Sequence, residues 1–196
     1  MNETSQADRF APLFAELDRR IAGEAPVRLA IEGGSASGKT TLGKILAERY
    51  DCTVFHMDDF FLRSEQRTAA RFAEPGGNVD RERFLAEVLL PLRRGEKVFY
   101  RRFDCASMQL QNAVETAPKK LVVAEGAYSM HPDLAPYYDL SVFLPISAEK
   151  QRERILKRNA PAHAKQFFDR WIPFEQRYFN ALDVRNRCDL ILSADD

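Results

Sequence analysis

The chain has 196 residues, 45% of them hydrophobic, and its 29 Lys plus Arg balance 29 Asp plus Glu. That length suits one α/β domain with a full core, so a single domain over residues 1–196 is expected. The even charge argues against nucleic acid or an anionic membrane as partner, while small anionic ligands need only a local cluster of positive charge.

Cys52, Cys105 and Cys188 are odd in number and lack a C-x-x-C spacing, which argues against a disulfide scaffold or a zinc knuckle. The N-terminal stretch carries Glu3, Asp8, Glu16 and Asp18 and has no apolar h-region. No apolar run approaches the ~18 residues of a membrane span, and a cytoplasmic location is expected. The oligomeric state stays open, a homo-oligomer included.

Residues 5–22 carry Phe10, Leu13, Phe14, Leu17 and Ile21 on one stripe and predict an amphipathic helix packed on a sheet. The strand predicted at 27–32 runs straight into Gly33-Gly34-Ser35-Ala36-Ser37-Gly38-Lys39-Thr40. This matches the phosphate-loop pattern G-x-x-x-x-G-K-[ST], with Thr41 and a helical run through Leu42, Ile45 and Leu46 behind it. Glycines let backbone N–H groups turn inward on a polyphosphate, and the helix N-terminus adds partial positive charge. Lys39 is placed to reach the β- and γ-phosphates of ATP, and the Thr40 hydroxyl to ligate Mg²⁺.

A second strand, 53–57, ends in Asp58-Asp59-Phe60-Phe61. Acids at the carboxyl end of a parallel strand belong on the rim where such sheets bind ligands. Residues 64–78 are polar and Arg-rich and read as an ordered loop or a flap. Asp80 caps a helix running to Leu92, with Phe84, Val88 and Leu92 spaced for burial, and Gly95 breaks it. Residues 98–117 are expected to form a hairpin insertion.

Further strands are expected at 121–126, ending in Glu125, at 139–144 and at 189–192. Between the last two, a helix over 148–158 carries Arg152, Arg154, Lys157 and Arg158. It opens a candidate lid over 148–165, with Arg154 and Arg158 four apart on one face. A solvated face paired with Glu149 and Glu153 is the competing reading. Trp171, Phe174, Tyr178 and Phe179 read as packing, and His56, His131 and His163 have no metal spacing. Alternation of strands and helices gives a mainly parallel three-layer α/β/α sheet fold. Phosphoryl transfer needs a metal and a carboxylate near the acceptor hydroxyl, which makes Asp58, Asp59 and Glu125 the acids of interest. No N-K-x-D element accompanies the loop, so a guanine-specific switch is disfavoured.

The loop, together with His56-Met57-Asp58-Asp59-Phe60-Phe61, Asn78-Val79-Asp80 and Glu125-Gly126, resembles the uridine kinase family of P-loop kinases. Nicotinamide riboside kinases, phosphoribulokinases and bacterial pantothenate kinases are relatives within that group. The resemblance spans residues 27–192. It implies ATP and Mg²⁺ as cofactors and a small hydroxyl acceptor, most naturally the 5′-hydroxyl of a nucleoside. It further implies that residues 33 and 35–41 hold the nucleotide and that Asp58 is the base toward the acceptor. Asp80 would hold ribose hydroxyls, Glu125 would stand near Mg²⁺ with Thr40 and Asp58, and Arg154 and Arg158 would belong to the lid. The uracil-reading Tyr and His of that family are replaced here by Phe103 and Met108. Other acceptors such as nicotinamide riboside or pantothenate, and an inactive nucleotide-binding regulator, are the alternatives.

Overall fold

Short, largely apolar strands assemble into the centre of the molecule, and glycine follows two of them, at Gly33 and Gly126. The computed structural model describes residues 8–194. Its main sheet has five parallel strands in the order β2-β5-β1-β6-β7: β1 is Val27–Glu32, β2 Cys52–His56, β5 Leu121–Glu125, β6 Leu140–Phe143 and β7 Leu190–Ile191. A separate antiparallel hairpin pairs β3 (Val98–Asp104) with β4 (Gln109–Thr116), with a register shift between Arg101 and Phe103. The hairpin predicted at 98–117 is therefore present.

Strand alternation divides the core in two. Leu29 and Ile31 of β1 face one side, packed with Leu42, Leu46, Val123 and Val142 beneath Phe10, Leu13, Phe14 and Leu17. That side is covered by α1 (Ala11–Ile21) and α2 (Lys39–Arg49). Ala30 faces the other side, with Phe55, Phe60, Phe84, Val88, Val122, Ala124 and Tyr178. The start of the helix expected over 5–22 lies outside the described residues.

The stretch 64–78 is ordered. A 3₁₀ turn at Ser64–Gln66 and the short helix α3 (Ala69–Ala73) are tied down by Arg71, which donates to the Gly77 and Val79 carbonyls and to Glu82. Helix α4 covers residues 81–93 and is α-helical at both ends with a π-helical turn at Leu85–Leu89. Asp80 caps it as expected, accepting the Arg83 N–H at 3.1 Å. Helix α5 is Ala148–Arg158, capped by Ser147. Helix α6 covers residues 161–181, again with a π-helical turn, at Phe167–Trp171. Among the described residues no helix is long and apolar enough to cross a membrane.

In the sheet, β1 lies between β5 and β6. The loops leaving the carboxyl ends of β1, β2 and β5 therefore open onto one rim, and the acids predicted there are brought together.

Candidate phosphate-loop active site

Backbone geometry at the loop explains its glycines. Gly33 has φ +145°, and a Cβ there would lie 2.5 Å from the Leu144 carbonyl oxygen. Gly38 has φ +102° at the N-cap of α2, a left-handed conformation that L side chains resist. The Gly34 carbonyl accepts the Ser37 N–H at 3.1 Å, closing a tight turn whose third residue, Ala36, has φ 64°. The Lys39 ammonium folds back onto the carbonyls of Gly33 and Gly34, each 2.8 Å away. Ser37 Oγ is buried with no hydrogen-bond partner, so the loop keeps an unspent hydroxyl inside its curve.

Four carboxylates surround that ammonium. Glu32, Asp58, Glu125 and Glu175 are each pulled toward ionisation by the Lys39 charge. Glu125 is buried, which alone would raise its pKa. The hydrogen bond with His56 Nδ1 at 2.6 Å, the Lys39 charge and the Thr40 hydroxyl at 3.0 Å outweigh burial and leave it below the ordinary carboxylate value. The same contact raises the pKa of His56, whose strand register sets it directly beside Glu125. Asp58 is open to the cleft, and the bulk of protein around it raises its pKa against the pull of Lys39.

Glu32, at the end of β1, is fully buried and raised to about 7 by desolvation. Its carboxylate accepts N–H groups from Gly33 and Met130 at 2.9 Å and the Tyr178 hydroxyl at 3.0 Å. It ties the root of the phosphate loop to the segment after β5 and to α6.

Of these groups, Lys39, Thr40, Asp58, Glu125 and Glu175 line one cleft of about 780 Å³, and Glu32 and His56 support it from outside the lining. One wall is residues 35–41 with Arg154, Lys157 and Arg158 of α5; the other includes Asp58, Phe61, Asn78, Tyr128, Gln166 and Trp171. Arg154 donates to the Ala36 carbonyl at 3.1 Å, and Arg158 lies over the Phe167 ring. Arg154 and Arg158 therefore face the cleft, and the reading of α5 as only a solvated face does not describe them.

Three expected acceptor contacts are absent from the cleft wall. Asp80 is buried beneath it, occupied by the cap and by Arg83 and Arg63 at 3.4 and 3.6 Å. Phe103 is buried near the tip of the hairpin under the Arg67 guanidinium, and Met108 occupies the hairpin turn at φ 59°. The register shift places one extra residue on β4, where residues 111 and 112 face Arg102 alone, and from the hairpin turn Cys105 lines the cleft. Gly33 sits behind the loop and supports it without lining the cleft.

Several residues escaped the sequence reading. Trp171, read as packing, is half-buried and forms the wall with Phe61, ring centroids 5.8 Å apart. Glu175 is buried against the loop. An acid on the apolar stripe four residues after Trp171 and three before Tyr178 was the available signal.

The donor set suits a triphosphate with a divalent cation. The loop offers curved N–H groups, an unpaired Ser37 hydroxyl and one lysine, while the surrounding carboxylates leave surplus negative charge. Among the described residues no group of three or more His, Cys, Asp or Glu could hold a metal unaided. Mg²⁺ accepts such sparse protein ligation when phosphates complete its shell. Thr40, Asp58 and Glu125 face that space.

Comparison with known proteins supports this architecture. The family model "Shikimate kinase" matches residues 35–89, well under half of the chain. No curated protein matches the chain in sequence. Among solved structures, a putative fructose transport system kinase from Silicibacter sp. TM1040 is similar with a TM-score of 0.73 at 23% identity, covering 93% of this chain and 98% of that one. A possible uridine kinase from Bacillus stearothermophilus gives 0.64 at 19% identity, covering 92% and 98%. D-glycerate 3-kinase from Cryptococcus neoformans gives 0.64 at 14% identity, covering 99% and 97%. The fold is that of the small-molecule P-loop kinases.

Proposed function

We propose that this protein is an ATP-dependent kinase that phosphorylates a hydroxyl of a small, uncharged acceptor, best a nucleoside 5′-hydroxyl. One observation carries the reading: Asp58 opens into the same cleft as Lys39, Glu125 and the α5 arginines. Bound Mg·ATP would supply the transferable phosphoryl group and partial neutralisation of its oxygens. Residues 35–41 hold the phosphates through backbone N–H groups, with Thr40 and Glu125 turned toward the cation. Lys39 exchanges its two loop carbonyls for phosphate oxygens. Arg154 and Arg158 add positive charge from the lid side where it develops during transfer. Asp58 accepts the proton of the attacking hydroxyl, and its raised pKa brings it closer to the working range of a general base.

The acceptor side favours an uncharged molecule with a flat ring. Phe61, Tyr128 and Trp171 provide aromatic surface, and Asn78 and Gln166 provide amides. Among the described residues, the Lys and Arg side chains that line the cleft belong to the phosphate loop or α5, with His163 of α6 beside them. Shikimate and glycerate carry a carboxylate, which that aromatic side has no cation of its own to receive.

The test is Mg·ATP-dependent phosphorylation of uridine, cytidine, nicotinamide riboside, free ribose, pantothenate and shikimate, with products identified by mass. A 5′-phosphorylated nucleoside supports the reading. Phosphorylation of shikimate alone would replace it, and ATP binding with no product from any acceptor would favour a regulator. Asp58→Asn should lower the transfer rate by ~10³ or more while Mg·ATP affinity changes only a few-fold. An unaffected rate would remove Asp58 as the base.

A further inference from the structure

All three polar groups of Ser35 are held by side chains from distant helices. Its N–H donates to Glu175 Oε2 at 2.9 Å, and its hydroxyl to Glu175 Oε1 at 2.5 Å. Its carbonyl accepts from Gln151 Nε2 at 2.9 Å. Both partners are almost fully buried, Glu175 at 4% and Gln151 at 5% exposure. The next carbonyl, that of Ala36, is held by Arg154. A Cβ at Gly34 would come within 3.1 Å of the Gln151 amide, so a side chain there would press on this contact.

Ser35 occupies the second position of the turn from Gly34 to Ser37, and Ala36 follows it at φ 64°. A non-glycine residue in that region costs on the order of a kilocalorie per mole or more and persists only where its surroundings over-determine it. The carbonyls of the peptide groups on either side of Ala36 are held from α5, and the Ser35 N–H and hydroxyl just before them from α6, which supplies that determination. A carboxylate is also an unexpected neighbour for a phosphate loop, because burial disfavours its charge and an incoming phosphate repels it. Its retention there is explained by the two donors it holds.

We propose that Glu175, assisted by Gln151, is a positioning residue that holds the phosphate loop in its phosphate-accepting curve by clamping Ser35. Its carboxylate is spent on the Ser35 N–H and hydroxyl, so it acts on phosphate binding through the loop's shape. The clamp also joins α5 and α6 to the loop, and lid position and loop curvature become one mechanical unit. This inference rests on the nucleotide-binding reading given above.

The test is calorimetric binding of Mg·ATP without acceptor, beside thermal unfolding of the ligand-free protein. Glu175→Ala should weaken Mg·ATP binding about tenfold, and Glu175→Gln should stay within about threefold of wild type, because an amide can accept the Ser35 N–H and donate to its hydroxyl. A generally destabilised protein would show no such rescue. Gln151→Ala combined with Glu175→Ala should weaken binding less than the product of the two single effects, since both hold one residue. Ser35→Ala removes only the hydroxyl arm and should cost about threefold; should Glu175→Ala fail to fold, this variant and Glu175→Gln decide. Wild-type affinity in Glu175→Ala, or in Ser35→Ala when it stands alone, overturns the clamp. Equal weakening in the Ala and Gln variants, or tighter binding in both, overturns it in favour of an effect of charge. A wild-type protein that binds no Mg·ATP removes the underlying reading as well, and that control separates the two failures.

Discussion

The two walls of the cleft are assembled in different ways. The phosphate-loop wall takes its backbone donors, its lysine and its Thr40 hydroxyl from one continuous stretch between β1 and α2. The opposite wall takes Phe61 from the end of the β2 loop, Asn78 from the turn before α4, Tyr128 from the segment after β5 and Trp171 from α6. The first wall is set by local spacing and the second by tertiary packing. A change in the first should therefore strike chemistry directly, and a change in the second, Asp58 apart, should mostly alter what is bound.

The largest expected effect lies on the loop. Lys39→Ala removes the one ammonium that faces all four carboxylates, and transfer should fall by ~10³ or more with weaker Mg·ATP binding. Steady-state kinetics and calorimetry on the same sample check both; retained turnover would break the contrast between the walls. Trp171→Ala should act on the other wall alone. Loss of its contact with Phe61 should raise the acceptor KM about tenfold and leave the Mg·ATP Kd within about twofold. A matching rise in both constants would mean the walls are not separable.

The smallest effect concerns the support of the second wall. His131 ends the segment after β5, stacked on Tyr178, and burial together with the nearby Arg81 lowers its pKa to about 4. The folded protein thus binds fewer protons here than the unfolded chain between about pH 4 and 6.5, and stability is lost as pH falls through that window. Relative to His131→Phe, wild type should lose about 2 kcal/mol at pH 5. Unfolding curves of the two proteins from pH 7.5 to 4.5 should diverge on the acid side; parallel curves would assign the acid limb elsewhere.

The same contrast explains what could be read from the sequence. The strand, loop and helix from Val27 to Arg49 were legible because every relation among them is local. Asp58 and Glu125 were legible because strand ends in a parallel sheet share a rim. Glu175 and Gln151 reach Ser35 from far along the chain, and spacing holds no record of that meeting. Asp80 was correctly read as a helix cap, and that same hydrogen bonding keeps it beneath the cleft. Phe103 and Met108 lie away from the cleft lining because the hairpin's turn and its register shift are set by pairing between two strands, which an ungapped reading along the chain does not contain.

The widened turn at Phe167–Trp171 has a consequence for how this chain tolerates change in length. A π-helical turn holds one residue more than the regular helix needs. Deleting a single residue there would leave an unbroken α-helix, but everything before it would rotate by about 100° about the axis of α6. Gln166 and the helix bearing Arg154 and Arg158 would swing away from the loop, while Glu175 and Tyr178 kept their seats. The turn behaves as a one-residue phase adjuster. It sets the bearing of α5 relative to the anchor that holds α6 to the sheet.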